Sequence, residues 1–153
     1  MGGAYLHCGV AMMESIALPA PDFLERWLCW AQWVKTPAAV PQPCSAPRAA
    51  WEFEQLVRTE PESAWQAIVQ AFSDPRFDGH HDLLVAGPLE ELLSLHGELF
   101  IERLESLATQ NACFAFALSG IWGLLMSEAV FGRVQGVWAR RGWCEQGAWG
   151  DLR

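Results

Sequence analysis

Two adjacent histidines, His80 and His81, are surrounded by carboxylates in the sequence. The nearest acidic residues are Asp74, Asp78 and Asp82. Imidazole nitrogens and carboxylate oxygens bind divalent metals, and a histidine can act as a general base. Neighbouring side chains on a helix point about 100° apart, however, so the two imidazoles cannot easily share one metal ion. We expect a solvated loop entering a helix, with Asp78 as its cap, and retain a small metal-dependent hydrolase centred on the two histidines as an alternative.

A second group of carboxylates follows the histidines. Its members are Glu90, Glu91, Glu98, Glu102 and Glu105. Glutamates at helical spacing could form a catalytic pair or, with a histidine, a metal site between helices. Here they lie opposite the apolar stripe of the predicted helices, which favours a solvated surface. His96 directly precedes a glycine at a predicted helix end, where an imidazole can cap carbonyl groups.

Cofactor and nucleophile motifs are not found in the sequence. It has no Ser/His/Asp signature, phosphate-binding loop or dinucleotide fingerprint. The five cysteines are widely spaced, and no two form a C-x-x-C pair. These patterns predict no cofactor, no metal and no enzymatic activity, and they favour reduced thiols in a cytoplasmic protein.

The acidic charge is concentrated in the middle of the chain. The net charge is −8, and between residues 50 and 128 thirteen acidic residues face only three arginines. Such a surface repels the phosphate backbone of nucleic acids and attracts basic proteins. The chain is therefore expected to bind a basic protein, such as a toxin domain, and not nucleic acid. Its oligomeric state stays open.

Apolar residues recur at helical spacing along most of the chain, and no segment alternates as a strand does. The spacing predicts helices over about 21–34, 48–58, 61–72, 80–86, 88–96, 98–109 and from Ser127 onward. We expect an all-α fold of stacked antiparallel hairpins, HEAT-like or an irregular bundle, with no significant sheet. The hairpins would pair 48–58 with 61–72, and 88–96 with 98–109.

Local signals place the helix ends. Thr59 and Glu62 have the spacing of a capping box, and Gly87 followed by Pro88 marks a break between helices. Gly132 and Gly136 lie one turn apart and would let another helix approach closely.

Residues 112–126 form a continuous apolar stretch. Its length is below the roughly 20 residues of a membrane-spanning helix, so we expect a buried central helix and no membrane insertion. Gly120 and Gly123 are expected to break or kink this helix.

The chain is expected to contain one domain. Residues 1–19 are predicted to be a flexible segment, in which Met12 and Met13 are alternative starts. The single α-helical domain covers residues 20–142, and residues 143–153 form a tail.

The sequence resembles an uncharacterised family of small bacterial domains. The resemblance rests on the runs Ala86–Leu93, His96–Gly97 and Ile101–Glu105, and on an upstream Glu-Pro-Glu-x-Ala-Trp segment at residues 60–65. It covers about residues 50–140. The resemblance implies a helical fold, and since the family has no established function it assigns no functional residue.

These observations favour a protein-binding module. Most specifically, they favour a cytoplasmic immunity protein that covers the active site of a basic toxin; a helical-repeat adaptor is another alternative. The proposed contact residues are Asp74, Asp78, Asp82, Glu90, Glu91, Glu98, Glu102 and Glu105, with Trp51 and Trp143 as anchors.

Overall fold

The computed structural model describes residues 20–39 and 46–140, and every regular element in these ranges is helical. The predicted all-α class is confirmed. The helices are α1 (Phe23–Lys35), α2 (Ala46–Thr59), α3 (Pro61–Ser73), α4 (His81–Leu84), α5 (Glu90–Gln110), α6 (Ala112–Ala117) and α7 (Glu128–Arg140). A π-helical turn (Val85–Leu89) joins α4 to α5, and 3-10 turns cover Pro75–Phe77 and Leu118–Gly120. The predicted flexible segment 1–19 and the tail 143–153 lie outside the described residues.

The first three helices pack in chain order, α1 on α2 and α2 on α3, and α5 packs against α7 while also contacting α2 and α3. An aromatic cluster fills the α1–α2 interface. The buried ring of Trp27 meets Phe53 edge-on at 6.0 Å and stacks on Phe77 at 6.1 Å. Such large apolar contacts dominate the free energy of folding because they remove the most apolar surface from water.

The predicted break at Gly87 and Pro88 is wrong, because a π-helical turn carries the helix through it. Proline lacks an N–H group, and in a regular α-helix its ring collides with the carbonyl group four residues earlier. The wider turn avoids this collision, and the N–H group of Glu90 bonds to the carbonyl oxygen of Val85, five residues back. Helix α4 therefore runs into α5 without a loop.

The predicted helix end at His96 is a kink inside α5. His96 has non-helical backbone angles (φ −133°, ψ 19°), and the helix resumes at once. The segments 88–96 and 98–109 are thus joined directly, without the turn that the predicted hairpin needs. The Nε2 atom of His96 lies 3.1 Å from the carbonyl oxygen of Val57 in the last turn of α2. The expected capping of its own helix end is therefore wrong, and the imidazole instead contacts a carbonyl group near the end of α2.

The predicted capping box is also wrong. Thr59 ends α2, and its hydroxyl group donates to the carbonyl oxygen of Gln55. Glu60 takes the N-cap position of α3 without a side-chain cap. Glu62 binds Arg103 of α5 through two hydrogen bonds of 2.6 and 2.9 Å. The side chains of Thr59 and Glu62 therefore bind other groups and do not cap the start of α3.

Only the first half of the apolar stretch 112–126 forms the expected buried helix. Phe114 and Leu118 are buried in α6 and the following 3-10 turn, but the chain leaves the helix at Ile121. Gly123 has φ +70°, a left-handed conformation that side chains disfavour, so the expected break there is confirmed. No described helix combines the length and apolar character needed to cross a bilayer.

Candidate functional site

An apolar groove of about 690 Å³ lies where α1, α2, the π-helical turn, the first turns of α5 and the loop of residues 121–127 meet. Its apolar lining consists of Trp27, Trp30, Ala50, Leu83, Ala86, Gly87, Pro88, Leu95, Leu124 and Leu125. Its polar lining consists of Glu54, Arg58, Glu90, Glu91 and Ser94. A concave apolar surface with a few polar groups at its edge is the usual form of a binding site.

The π-helical turn supplies part of the groove lining through Ala86, Gly87 and Pro88. Ala86 and Gly87 are exposed, and no described atom lies within 4 Å of a Cβ built on Gly87. The wide turn therefore presents backbone and small side chains to the groove. Turns of this kind occur often at functional sites.

The loop of residues 121–127 forms one wall of the groove and is held by Glu90. The Glu90 carboxylate accepts hydrogen bonds from the backbone N–H groups of Trp122 (3.1 Å) and Gly123 (3.0 Å). A Cβ at Gly123 would lie 2.5 Å from the Phe131 ring, so both the backbone angle and the packing require glycine. The wall is thus fixed to α5 by a carboxylate and to α7 by an aromatic ring.

Large apolar side chains on this wall remain in contact with solvent. Leu124 is 79% exposed and Leu125 is 85% exposed, and Trp122 beside them is 73% exposed. Leu95 on α5 is also exposed. Single exposed apolar residues are common, but several side by side along a groove indicate a contact surface.

A family model matches residues 41–142, which is more than half of the chain, and its description is a family of unknown function, DUF6869. The chain belongs to this family. No curated protein and no solved structure matches the chain itself. The match includes the groove residues from Ala50 to Leu125, whereas Trp27 and Trp30 come from α1, before the matched region.

Five of the eight predicted acidic contact residues already bind other groups of the same chain. Four form ion pairs: Asp74 with Arg76, Asp82 with Lys35, Glu91 with Arg58 and Glu105 with Arg133. The fifth is Glu90, which binds the loop of residues 121–127. Asp78, Glu98 and Glu102 are exposed and have no ion pair among the described residues. The eight carboxylates therefore do not form one free acidic surface.

Of the two tryptophans proposed as anchors, only Trp51 lies within the described residues. Trp51 is 56% exposed on α2. It does not line the groove. Trp143 lies outside the described residues.

His81 is not on a solvated loop, which corrects the expectation for this segment. Its ring is only 6% exposed and stacks on Phe72 at 4.4 Å. Its Nδ1 atom lies 3.5 Å from the Cys113 sulfur, and its Nε2 atom is buried without a hydrogen-bond partner in the described part of the chain. Burial lowers the pKa of His81, and the charges of Asp78 and Asp82 oppose this effect. His81 is therefore a core residue whose burial favours the neutral imidazole.

The remaining groups of this segment do not form a metal site either. His80 takes the N-cap position expected for Asp78, and its side chain makes no cap hydrogen bond. Burial lowers the pKa of His80 and raises the pKa of the Cys113 thiol. Among residues 20–39 and 46–140, no three His, Cys, Asp or Glu side chains are placed to hold a metal ion.

Sequence reasoning missed the groove, although part of its signal was available. Trp30 follows the buried Trp27 by three residues, yet it is only half-buried and lines the groove. Leu95 lies outside the buried stripe of α5, and an apolar residue in that position is a sign of an external contact. Leu124 and Leu125 gave no such sign because they belong to the apolar stretch 112–126, which was expected to form a buried helix.

Proposed function

We propose that this chain is a protein-binding module whose contact surface is the apolar groove together with the exposed loop of residues 121–127. The observation that carries the proposal is the row of exposed side chains, Leu95, Leu124 and Leu125, along a groove with a polar edge. A partner that covered them would bury apolar surface worth about 25 cal/mol per Å². The contact surface thus differs from the acidic face that composition suggested.

The shape of the groove favours a macromolecular partner over a small molecule. Small-ligand sites enclose most of the ligand surface. Here the wall formed by Leu124 and Leu125 stands almost entirely in solvent, so it would gain contact only from a partner larger than the groove. An exposed apolar wall beside a groove is typical of protein interfaces.

The residues that carry the family resemblance support the same site. The run from Ala86 to Leu93 contributes five groove residues: Ala86, Gly87, Pro88, Glu90 and Glu91. We infer that this run forms a signature of the family because it builds the binding surface, with the π-helical turn as its structural consequence.

The test is a quantitative pull-down from the native host with the full chain and two variants. Leu125→Glu places a charge on the groove wall, and Leu99→Glu is the matched control because Leu99 is exposed on α5 outside the groove. We expect a stoichiometric partner that the wild type and Leu99→Glu retain and Leu125→Glu loses. An identical set of proteins with all three chains, or no partner under conditions where the host uses the protein, contradicts the proposal.

A narrower function, that of an immunity protein against a basic toxin, is supported by one local feature. Glu98 and Glu102 are exposed together on α5 and have no ion pair among the described residues. They would steer a basic protein toward this face. The test is co-expression with a captured basic partner that arrests growth: rescue supports immunity, whereas growth arrest despite binding favours an adaptor.

The contribution of Glu98 and Glu102 to the association rate can be measured separately. Reversing Glu98 and Glu102 to lysine should slow association with such a partner at low salt and have little effect at high salt. An unchanged association rate at low salt places the steering charge elsewhere.

A further inference from the structure

We propose that the occupant of the groove is an amphipathic helix of the partner protein, with a lysine or arginine beside its apolar stripe. This inference rests on the proposed function and specifies the partner. Three properties of the groove carry it: its size, the character of its walls and the charge along its edge.

The size of the groove fits a helix that lies partly embedded in it. A helix about 10 Å wide occupies about 420 Å³ per turn of 5.4 Å. The volume of about 690 Å³ is of the same order as three turns seated to half their depth, which is about 630 Å³. Three turns present apolar side chains at i, i+3 or i+4, and i+7, which is the usual set of anchors for a helix in a groove.

The walls offer contacts for apolar side chains and none for an added strand. All described elements around the groove are helices, turns or loop, so no strand edge is available to pair with an extended peptide. Proline-rich segments dock between exposed aromatic rings. Of the two tryptophans in the lining, Trp27 is buried and Trp30 is only half-exposed, whereas the large apolar side chains of the lining that are exposed are leucines. Aliphatic walls, formed here by helices and by the loop of residues 121–127, are a surface against which the apolar stripe of another helix packs.

The charge along the edge favours a basic residue on the occupant. The polar lining contains three carboxylates and one guanidinium group, and Arg58 is already paired with Glu91 at 2.7 Å. Glu90 is engaged by the loop of residues 121–127. Glu54 is exposed, lines the groove and has no ion pair among the described residues. A cation placed beside the apolar stripe would pair with Glu54.

The experiment is a selection of random 14-residue peptides displayed on phage against the full chain, with the Leu125→Glu variant used to remove peptides that bind elsewhere. We expect enriched peptides to share apolar residues at helical spacing and an adjacent lysine or arginine. A synthetic copy should become helical on binding, as measured by circular dichroism. Its Kd should rise at least tenfold with Leu125→Glu, as for a central apolar contact.

The charge is tested with Glu54→Gln and a matched control, Glu128→Gln, because Glu128 is also exposed, has no ion pair among the described residues and lies outside the groove. We expect Glu54→Gln to weaken the selected peptide about threefold to fivefold at low salt, and Glu128→Gln to leave it unchanged. Equal effects of the two variants overturn the basic-residue inference.

Failure of this inference is distinguishable from failure of the proposed function. Peptides that depend on Leu125 but stay extended when bound overturn the helical occupant and leave the binding groove intact. If no peptide depends on Leu125 and the pull-down is insensitive to the same variant, both proposals fail.

Discussion

Gly97 of α5 lies against Val130 of α7 so closely that a Cβ on the glycine would be 2.8 Å from the Cγ1 atom of Val130. Val130 is buried and β-branched, so its side chain cannot rotate away cheaply. We expect Gly97→Ala to lower the free energy of unfolding by about 1 kcal/mol, because the cost of overpacking exceeds the gain in helix propensity. Urea denaturation measures the change.

The matched control is Gly132→Ala in α7. No described atom lies within 4 Å of a Cβ built at this exposed position. The substitution should raise the free energy of unfolding by about 0.5–1 kcal/mol through helix propensity alone. The close approach expected at Gly132 is thus found at Gly97, and a stabilising effect of Gly97→Ala would contradict the observed contact.

A second prediction concerns the anchor of the loop of residues 121–127. In Glu90→Gln the single carbonyl oxygen can accept from one of the two backbone amides, and the NH₂ group then faces the second amide and cannot accept from it. At least one hydrogen bond is therefore lost. We expect a loss of roughly 1–2 kcal/mol and faster hydrogen exchange at the amides of Trp122 and Gly123. Glu91→Gln is the control, since it removes only the ion pair with Arg58. Equal exchange at the two amides in both variants would refute the anchoring role.

A third prediction concerns pH. Burial lowers the pKa of His81 below its ordinary value of about 6.5, and burial lowers the pKa of His80 as well. The unfolded chain therefore binds more protons than the folded chain below pH 6.5, and stability must fall as the pH falls through this range. Glu52 and Glu62, whose pKa values are lowered by Arg26 and Arg103, respond only at more acidic pH.

The measurement for this prediction is the free energy of unfolding at pH 7.5 and at pH 5.5 in the wild type and in His81→Phe. Phenylalanine retains the stack on Phe72 and removes the titrating group. The difference between the two pH values should shrink in the variant, with the remainder due to His80. An undiminished difference would show that His81 does not titrate as its burial requires.

A fourth prediction concerns Arg103, which combines an ion pair with aromatic contacts. Its guanidinium group binds both oxygens of Glu62 and lies 5.2 Å from the Trp65 ring and 5.3 Å from the Phe100 ring. Arg103→Lys keeps the charge but loses the planar fork, and we expect a loss of about 1 kcal/mol. The control is Arg133→Lys, whose partner Glu105 is also bound through two hydrogen bonds. A loss no larger than that of the control would mean that the rings contribute nothing.

The helical class and most helix bounds could be predicted from the sequence because local spacing determines them. The apolar spacing of α1 and α3 matches their observed ranges, and α7 follows Ser127, the predicted start, whose hydroxyl group accepts a 3.3 Å hydrogen bond from the N–H group of Val130. Asp22 and Arg26, four residues apart, form an ion pair. Each of these features depends on residues within two turns of one another.

The errors arose where a distant partner overrides a local signal. Gly87 and Pro88 are usual helix breakers, yet buried Leu84, Val85 and Leu89 hold the helix in place through them. Glu62 has the spacing of a cap but binds Arg103, which lies 41 residues away. The groove could not be predicted for the same reason, because its walls come from segments that meet only in the folded chain.

Glu90 gives the groove a property that its shape alone does not have, because one carboxylate both lines the groove and holds the loop of residues 121–127. If the proposed helix occupies the groove, its occupancy and the order of the loop would be thermodynamically linked, and the linkage would be reciprocal. A cation on the helix that drew Glu90 away would release the amides of Trp122 and Gly123, whereas a cation that paired with Glu54 would leave both bonds in place. The two directions of the proposed helix would thus differ in affinity, and the groove would distinguish its polarity as well as its sequence.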